Sequence, residues 1–150
     1  MSTTSTTSTS RPLSTAPAAV VTTPLDRRVV LSGLWVTMLF VFAYVDIFGF
    51  WRADVIQGAL QGEVPGPGFT IGQGFLALTT LYVLVPILMV AGSLVLPWRV
   101  NRVANLVVPL VYAVTVVGSM VGESWVYYLL GSVVEIALLL SIAWTARRWR

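Results

Sequence analysis

Four long apolar stretches occupy most of the 150 residues, and arginines gather in alternate gaps between them. Each stretch is long enough, at about 1.5 Å per helical residue, to cross a hydrocarbon core about 30 Å thick. Buried in lipid, a backbone has no water to bond, so only helices or closed barrels satisfy it. Continuous apolar runs without the two-residue alternation of a barrel strand select helices. Hydrophobic residues make up 57% and charged residues 10%, against roughly 25% charged in an ordinary soluble domain. The fold class expected is therefore an all-α membrane protein, an up-down bundle of four transmembrane helices.

The spans are expected at about residues 29–50, 70–97, 104–122 and 125–146, within a transmembrane domain covering 25–150. The second is longer than a minimal span, so tilt is expected, and Thr70-Ile71-Gly72-Gln73 at its start matches a capping box. Residues 1–24 are rich in Ser and Thr, with Pro12, Pro17 and the single charge Arg11. Such a segment cannot bury enough apolar surface to offset its ordering entropy, so it is read as a disordered cytoplasmic tail. Asp26-Arg27-Arg28 faintly resembles a twin-arginine export signal. The run behind it is long enough to span, lacks a small-x-small cleavage site and precedes three further spans, so a flanking anchor is the reading adopted.

Orientation follows from charge. Arg27 and Arg28 precede the first span, Arg99 and Arg102 separate the second from the third, and Arg147, Arg148 and Arg150 follow the fourth. The other two gaps hold one arginine, Arg52, with Asp54, Glu63 and Glu123. The positive-inside rule then puts both termini in the cytoplasm of a cell-membrane, multi-pass protein. Trp51, Trp98, Trp125, Trp144 and Trp149 all fall near span ends, where indoles favour the interface. In the first external gap, Val55, Ile56, Ala59 and Leu60 share one helical face and Asp54, Gln57 and Gln61 the other. A short interfacial helix is one expectation for it and a structureless loop the other, ended by Val64-Pro65-Gly66-Pro67-Gly68.

The chain contains no Cys and no His, and all nine basic residues are arginine. Thiolate chemistry, Cys/His zinc sites, iron–sulfur clusters and histidine-ligated haem need residues it lacks. A Ser-His-Asp triad needs His, a Ser/Lys dyad needs Lys, and the Gly66–Gly74 glycines are not arranged as a phosphate loop. The expectation is no enzyme, no cofactor and no metal. The net charge of +3 is accounted for by topological anchoring rather than by nucleic acid, which would need a basic face on an aqueous domain.

Two ionisable acids, Asp46 and Glu135, lie inside spans that contain no cationic side chain. Glu135 is about ten residues into the fourth span, close to the midplane, where an ionised carboxylate costs roughly 3 kcal/mol or more. The neutral acid is expected there unless a cation is bound. Tyr128, Gly131, Ser132 and Glu135 share a small, polar face expected to point into the bundle, whereas Leu139 and Leu140 begin a lipid-like end. Glu135 is read either as a packing group bonded to Tyr112 or Tyr82, or as a proton- or cation-exchanging site. Asp46 lies about 6 Å below the outer end of its span. It shares a stripe with Trp35, Leu39, Phe42 and Ala43, read as a packing face or as the mouth of a path to Glu135. Pro86 should kink the second span and free the Tyr82 carbonyl, so Tyr82, Pro86, Tyr112 and Thr115 are candidates for the depth of Glu135. Gly118 and Gly122 form a small-xxx-small pair for contact within the chain or between protomers of a homo-oligomer.

Leu34-Trp35, Met38-Leu39, Tyr44, Asp46-Ile47-Phe48, Pro86-Ile87-Leu88-Met89, Arg99, Asn101-Arg102, Asn105, Tyr127-Tyr128, Glu135, Trp144 and Arg148-Trp149 form a recurring pattern. By it, residues 31–149 resemble a bacterial family of four-helix membrane proteins, the family of unknown function numbered 6326. The resemblance implies that Asp46, Arg102, Asn105 and Glu135 belong to the family's pattern, with Arg99, Asn101, Arg102 and Asn105 in a cytoplasmic loop motif. It implies no activity. The functional expectation is an accessory or structural membrane protein whose polar groups serve packing. The alternative is a small oligomeric transporter or channel, proton- or cation-linked through Glu135. A quinone- or lipid-linked redox subunit is a third reading, and it would need a partner to supply its haem or metal ligands.

Overall fold

A computed structural model of the protein describes residues 25–65 and 68–149, so the expected N-terminal tail lies outside the described residues. It contains five helices: α1 (Arg27–Gly49), α2 (Ala53–Gln61), α3 (Gln73–Val95), α4 (Trp98–Ser119) and α5 (Val126–Arg147). All but α2 are long and apolar enough to cross a membrane, with mean hydropathy between 1.7 and 2.2 over their most apolar windows. α1 packs against α3 and α5, α4 packs along α5, and α3 meets α4 mainly through side chains. Large apolar side chains such as Phe40, Leu78, Leu88, Val114 and Leu130 face outward. That is the arrangement for helices whose outer surface meets acyl chains and whose association rests on close packing and interhelical hydrogen bonds.

The two ends of the molecule are built differently. Near the α1 start and the α3 and α5 ends, Leu31, Trp35, Met38, Met89, Leu139 and Ile142 make a close-packed core. Leu139 is fully buried there, so the lipid-like end expected from Leu139 and Leu140 begins one residue later, at half-exposed Leu140. Four residues separate Leu139 from Glu135, which keeps both on one helical face. Within this core Trp35 donates its indole N–H to Asn105 Oδ1 at 2.7 Å. Asn105 Nδ2 donates to Asn101 Oδ1 at 2.6 Å and to its carbonyl at 3.0 Å. Asn101 Nδ2 donates to the Ser93 carbonyl at 2.7 Å. Ser93 Oγ lies 2.7 Å from the Met89 carbonyl and 3.2 Å from Asn105 Oδ1, so one proton serves two acceptors.

Asn101 and Asn105 therefore belong to no loop. α4 begins at Trp98, with Pro97 as its N-cap, six residues before the expected span. Proline is well suited to a helix start because it has no N–H to leave unpaired. The resulting i, i+4 spacing puts both amides on one buried face. Arg99 stays exposed against Trp98, while Arg102 reaches the Arg147 carbonyl at 3.4 Å. Arg28 donates to the Leu94 carbonyl at 2.8 Å and Arg27 to the Arg148 carbonyl. Arginines that anchor a span also satisfy carbonyls orphaned where neighbouring helices end, a site that favours cations.

At the other end α2 is a helix, not a structureless loop, closed by Gly62 in the left-handed region (φ 75°). A Cβ on buried Gly58 would lie 2.7 Å from the Glu63 carbonyl oxygen and from Pro65, so glycine lets the chain double back there. The return is held by Val64 N–H to the Phe69 carbonyl (2.8 Å) and Ile71 N–H to the Gly62 carbonyl (2.7 Å). Thr70 pairs with Glu63 across this return. The capping box expected at Thr70 is consequently not formed, and Gly72 precedes α3 with no side-chain cap. Gly118 and Gly122 do not form a packing pair among the described residues either. A Cβ at either meets nothing within 4 Å, and Gly122 (φ 84°) serves the turn after α4.

Arg52 clasps this end. It bonds Asp54 at 2.6 Å and Glu123 at 2.9 Å, and its guanidinium lies 4.8 Å from the Trp125 ring centroid. The hydrogen bond from Arg52 holds the Asp54 carboxyl below its ordinary range. Burial alone would push Glu123 up, but bonds from Arg52 and from the Trp125 and Ser124 N–H groups bring it below its usual value. Depressed carboxylates contribute stability above their unfolded pKa of about 4 and lose it as pH falls through the folded value. The wild type in detergent should therefore lose resistance to thermal unfolding between pH 5 and pH 3. Arg52→Gln should cost about 1 kcal/mol at pH 7 and flatten that acid loss. Equal acid sensitivity in the two proteins would contradict the clasp.

Candidate functional site

Towards the α2 end all four long helices line a cavity of about 480 Å³. α1 contributes Phe42, Val45 and Asp46, and α5 contributes Tyr128, Ser132 and Glu135. Phe75 and Tyr82 come from α3, Thr115, Val116 and Ser119 from α4, and Phe69 from the returning loop. The close-packed core of Met38, Met89 and Leu139 lies towards the opposite end. Glu135, about 13 Å into α5 by helical rise, thus stands at the boundary between the closed and open halves.

Glu135 is 4% exposed, and no described residue donates or accepts a hydrogen bond to its carboxyl group. Among the described residues every fully buried side-chain polar atom has a partner, so the Glu135 oxygens keep their small accessible surface towards the cavity. Its expected partners are occupied. Tyr112 donates its hydroxyl to the Tyr82 carbonyl, and the Tyr82 hydroxyl pairs with Thr115 Oγ1 at 2.6 Å. The two rings stack with centroids 4.6 Å apart. Pro86 explains the arrangement: without an N–H it leaves the Tyr82 carbonyl unbonded four residues earlier, and Tyr112 fills that vacancy across the α3–α4 gap. α3 runs unbroken from Gln73 to Val95 through this proline.

Of the sequence candidates, Glu135, Asp46 and Tyr82 line one cavity. Tyr112 is buried behind Tyr82 and does not. Asp46 and Ala43 are exposed, whereas Trp35 on the same stripe is fully buried. That stripe is fully buried only at its Trp35 end; farther along, α1 still lies against α5 where Val45 meets Gly131, and Asp46 faces the cavity. Phe69 and Phe75 were not legible as lining residues, since a loop return and a helix entry bring them in. The hydroxyls of Thr79, Thr80, Ser141 and Thr145 bond carbonyls four residues back on their own helices, which leaves them no part in the site.

The profile of one family, described as a family of unknown function (DUF6326), matches residues 20–150. The chain belongs to that family. No curated protein and no solved structure matches it. The four positions that the resemblance implied, Asp46, Arg102, Asn105 and Glu135, divide between the two halves. Asn105 is the hub of the closed core, Arg102 reaches the end of α5, and Asp46 and Glu135 face the cavity. Among the described residues no group of three or more His, Asp or Glu side chains could hold a metal ion.

Proposed function

We propose that this chain is a multi-pass membrane protein in which Glu135 is the proton- or cation-exchanging group of a binding cavity, as in a small transporter. The reading takes α1, α3, α4 and α5 as an up-down bundle with both termini cytoplasmic, so that the cavity opens towards the external face. The arginine distribution supports that orientation. One observation carries the functional part: a carboxyl group that is almost wholly buried has no hydrogen-bond partner among the described residues and borders a cavity. Unpaired ionisable groups at membrane depth are costly and mark ion or substrate paths. We take the site as one for binding rather than catalysis, because the chain offers no His, Cys or Lys to complete a nucleophile.

Wild type and Glu135→Gln, reconstituted in vesicles, should differ at least tenfold in proton flux down an imposed gradient, with similar unfolding temperatures in detergent. Equal flux, or no flux in either combined with easier unfolding of Glu135→Gln, would count against the proposal. The second outcome would favour the accessory or structural role that the sequence alone suggests. That reading has support in the fully satisfied network around Asn105, where polar groups do serve packing.

A further inference from the structure

We infer that the cavity takes a bulky, ring-bearing organic cation, bound in exchange for a proton. The inference rests on the reading of Glu135 as an exchanging group and goes on to assign the ligand's chemical class. Three properties of the lining point to it. Charge comes first: Asp46 and Glu135 are both acids, and none of the described residues lining the cavity is basic. Anionic and zwitterionic ligands would bring negative charge next to them without compensation, whereas a cation would neutralise it in a site partly withdrawn from water.

The walls come second. Phe42, Phe69, Phe75, Tyr82 and Tyr128 reach the cavity from α1, the returning loop, α3 and α5. Aromatic faces attract cations through the ring quadrupole and bury apolar surface besides. An inorganic ion gains little from such walls, and no group of three or more His, Asp or Glu side chains that could hold a metal ion is found among the described residues. Size comes third. About 480 Å³ falls within the range of small-molecule pockets, roughly 300–1,000 Å³, and exceeds what a proton or bare ion requires.

The unpartnered Glu135 carboxyl, 4% exposed, supplies the exchange. The protonated acid and the cation give a carboxylate–cation pair and one released proton, so charge is conserved across the step. The titratable groups around it are Asp46 from α1, Tyr82 from α3 and Tyr128 from its own helix, while α4 adds only the hydroxyls of Thr115 and Ser119.

The test is calorimetric titration of the full-length protein in detergent with tetraphenylphosphonium, in two buffers of different ionisation enthalpy. Empty micelles and the neutral triphenylphosphine oxide serve as controls. Saturable binding is expected, with release of up to one proton per cation bound and no saturable binding of the neutral compound. Affinity should fall at least tenfold in Glu135→Gln and severalfold in Phe75→Ala. The buffer comparison on the wild type stands even if a variant folds poorly. Proton flux in vesicles without saturable tetraphenylphosphonium binding would overturn this inference and leave the proposed function intact. Binding with no proton release, or unchanged in a folded Glu135→Gln, would overturn the exchange, and absence of both flux and binding would remove both readings.

Discussion

Asn105→Leu should lower the stability of the folded protein by about 3 kcal/mol, with unfolding in mixed micelles as the measurement. Leucine has the same branched heavy-atom skeleton as asparagine but no polar atoms, so the loss is chiefly one of hydrogen bonding. It removes the acceptor of the Trp35 indole N–H and the donor to Asn101 Oδ1, both in fully buried surroundings. A buried group left unsatisfied costs roughly 1–3 kcal/mol. Single interhelical hydrogen bonds in membrane proteins average nearer 0.6 kcal/mol, so the expected effect comes from orphaning two groups at once. Trp35→Phe in the Asn105→Leu background should restore part of the loss, because it removes one orphan. A cost below about 0.5 kcal/mol for Asn105→Leu would show that water or rearranged side chains replace the hub.

Gly131→Ala should destabilise by about 2 kcal/mol, although alanine is the better helix former by about 1 kcal/mol in an exposed position. A Cβ at Gly131 would lie 2.3 Å from Val45 Cγ2, far inside contact distance. Valine in a helix has essentially one rotamer and cannot swing aside, so α1 and α5 must part, at the usual cost of overpacking. Val45→Ala should relieve the clash, and the double variant should lie at least 1 kcal/mol above the sum of the single effects. Additive losses would mean that the two helices do not approach as described. Because Val45 and Glu135 border the same cavity, flux in the rescued double variant would also report how much the spacing of these helices matters.

Glycine at position 131 was legible as a small residue on the Glu135 face, but its partner was not, because Val45 lies 86 positions away and only packing unites them. The same holds for Tyr82 and Tyr112. Proline chemistry announces a free carbonyl at Tyr82, and sequence cannot say which of several hydroxyls will fill it. The missed capping box at Thr70 has a related cause. Local pattern favours a helix start there, yet pairing with Glu63 across the chain reversal at Gly58 and Gly62 takes precedence. Asn101 and Asn105 were misread as loop residues because polar amides beside arginines look solvated until a third helix is known to cover them.

Apolar length, arginine placement and the positions of the tryptophans determined the number of long helices and their approximate ends, since these depend on the energetics of each segment alone in lipid or water. Two acids within long apolar segments were equally plain, for a carboxyl group in such a helix is costly whatever surrounds it. Tertiary structure alone decided that Glu135 borders an open cavity rather than bonding a tyrosine, and that the asparagines lock the opposite half. Those outcomes turn on which hydroxyl reaches which acceptor across helices far apart in the chain, and such competition is settled only when the backbones are brought together.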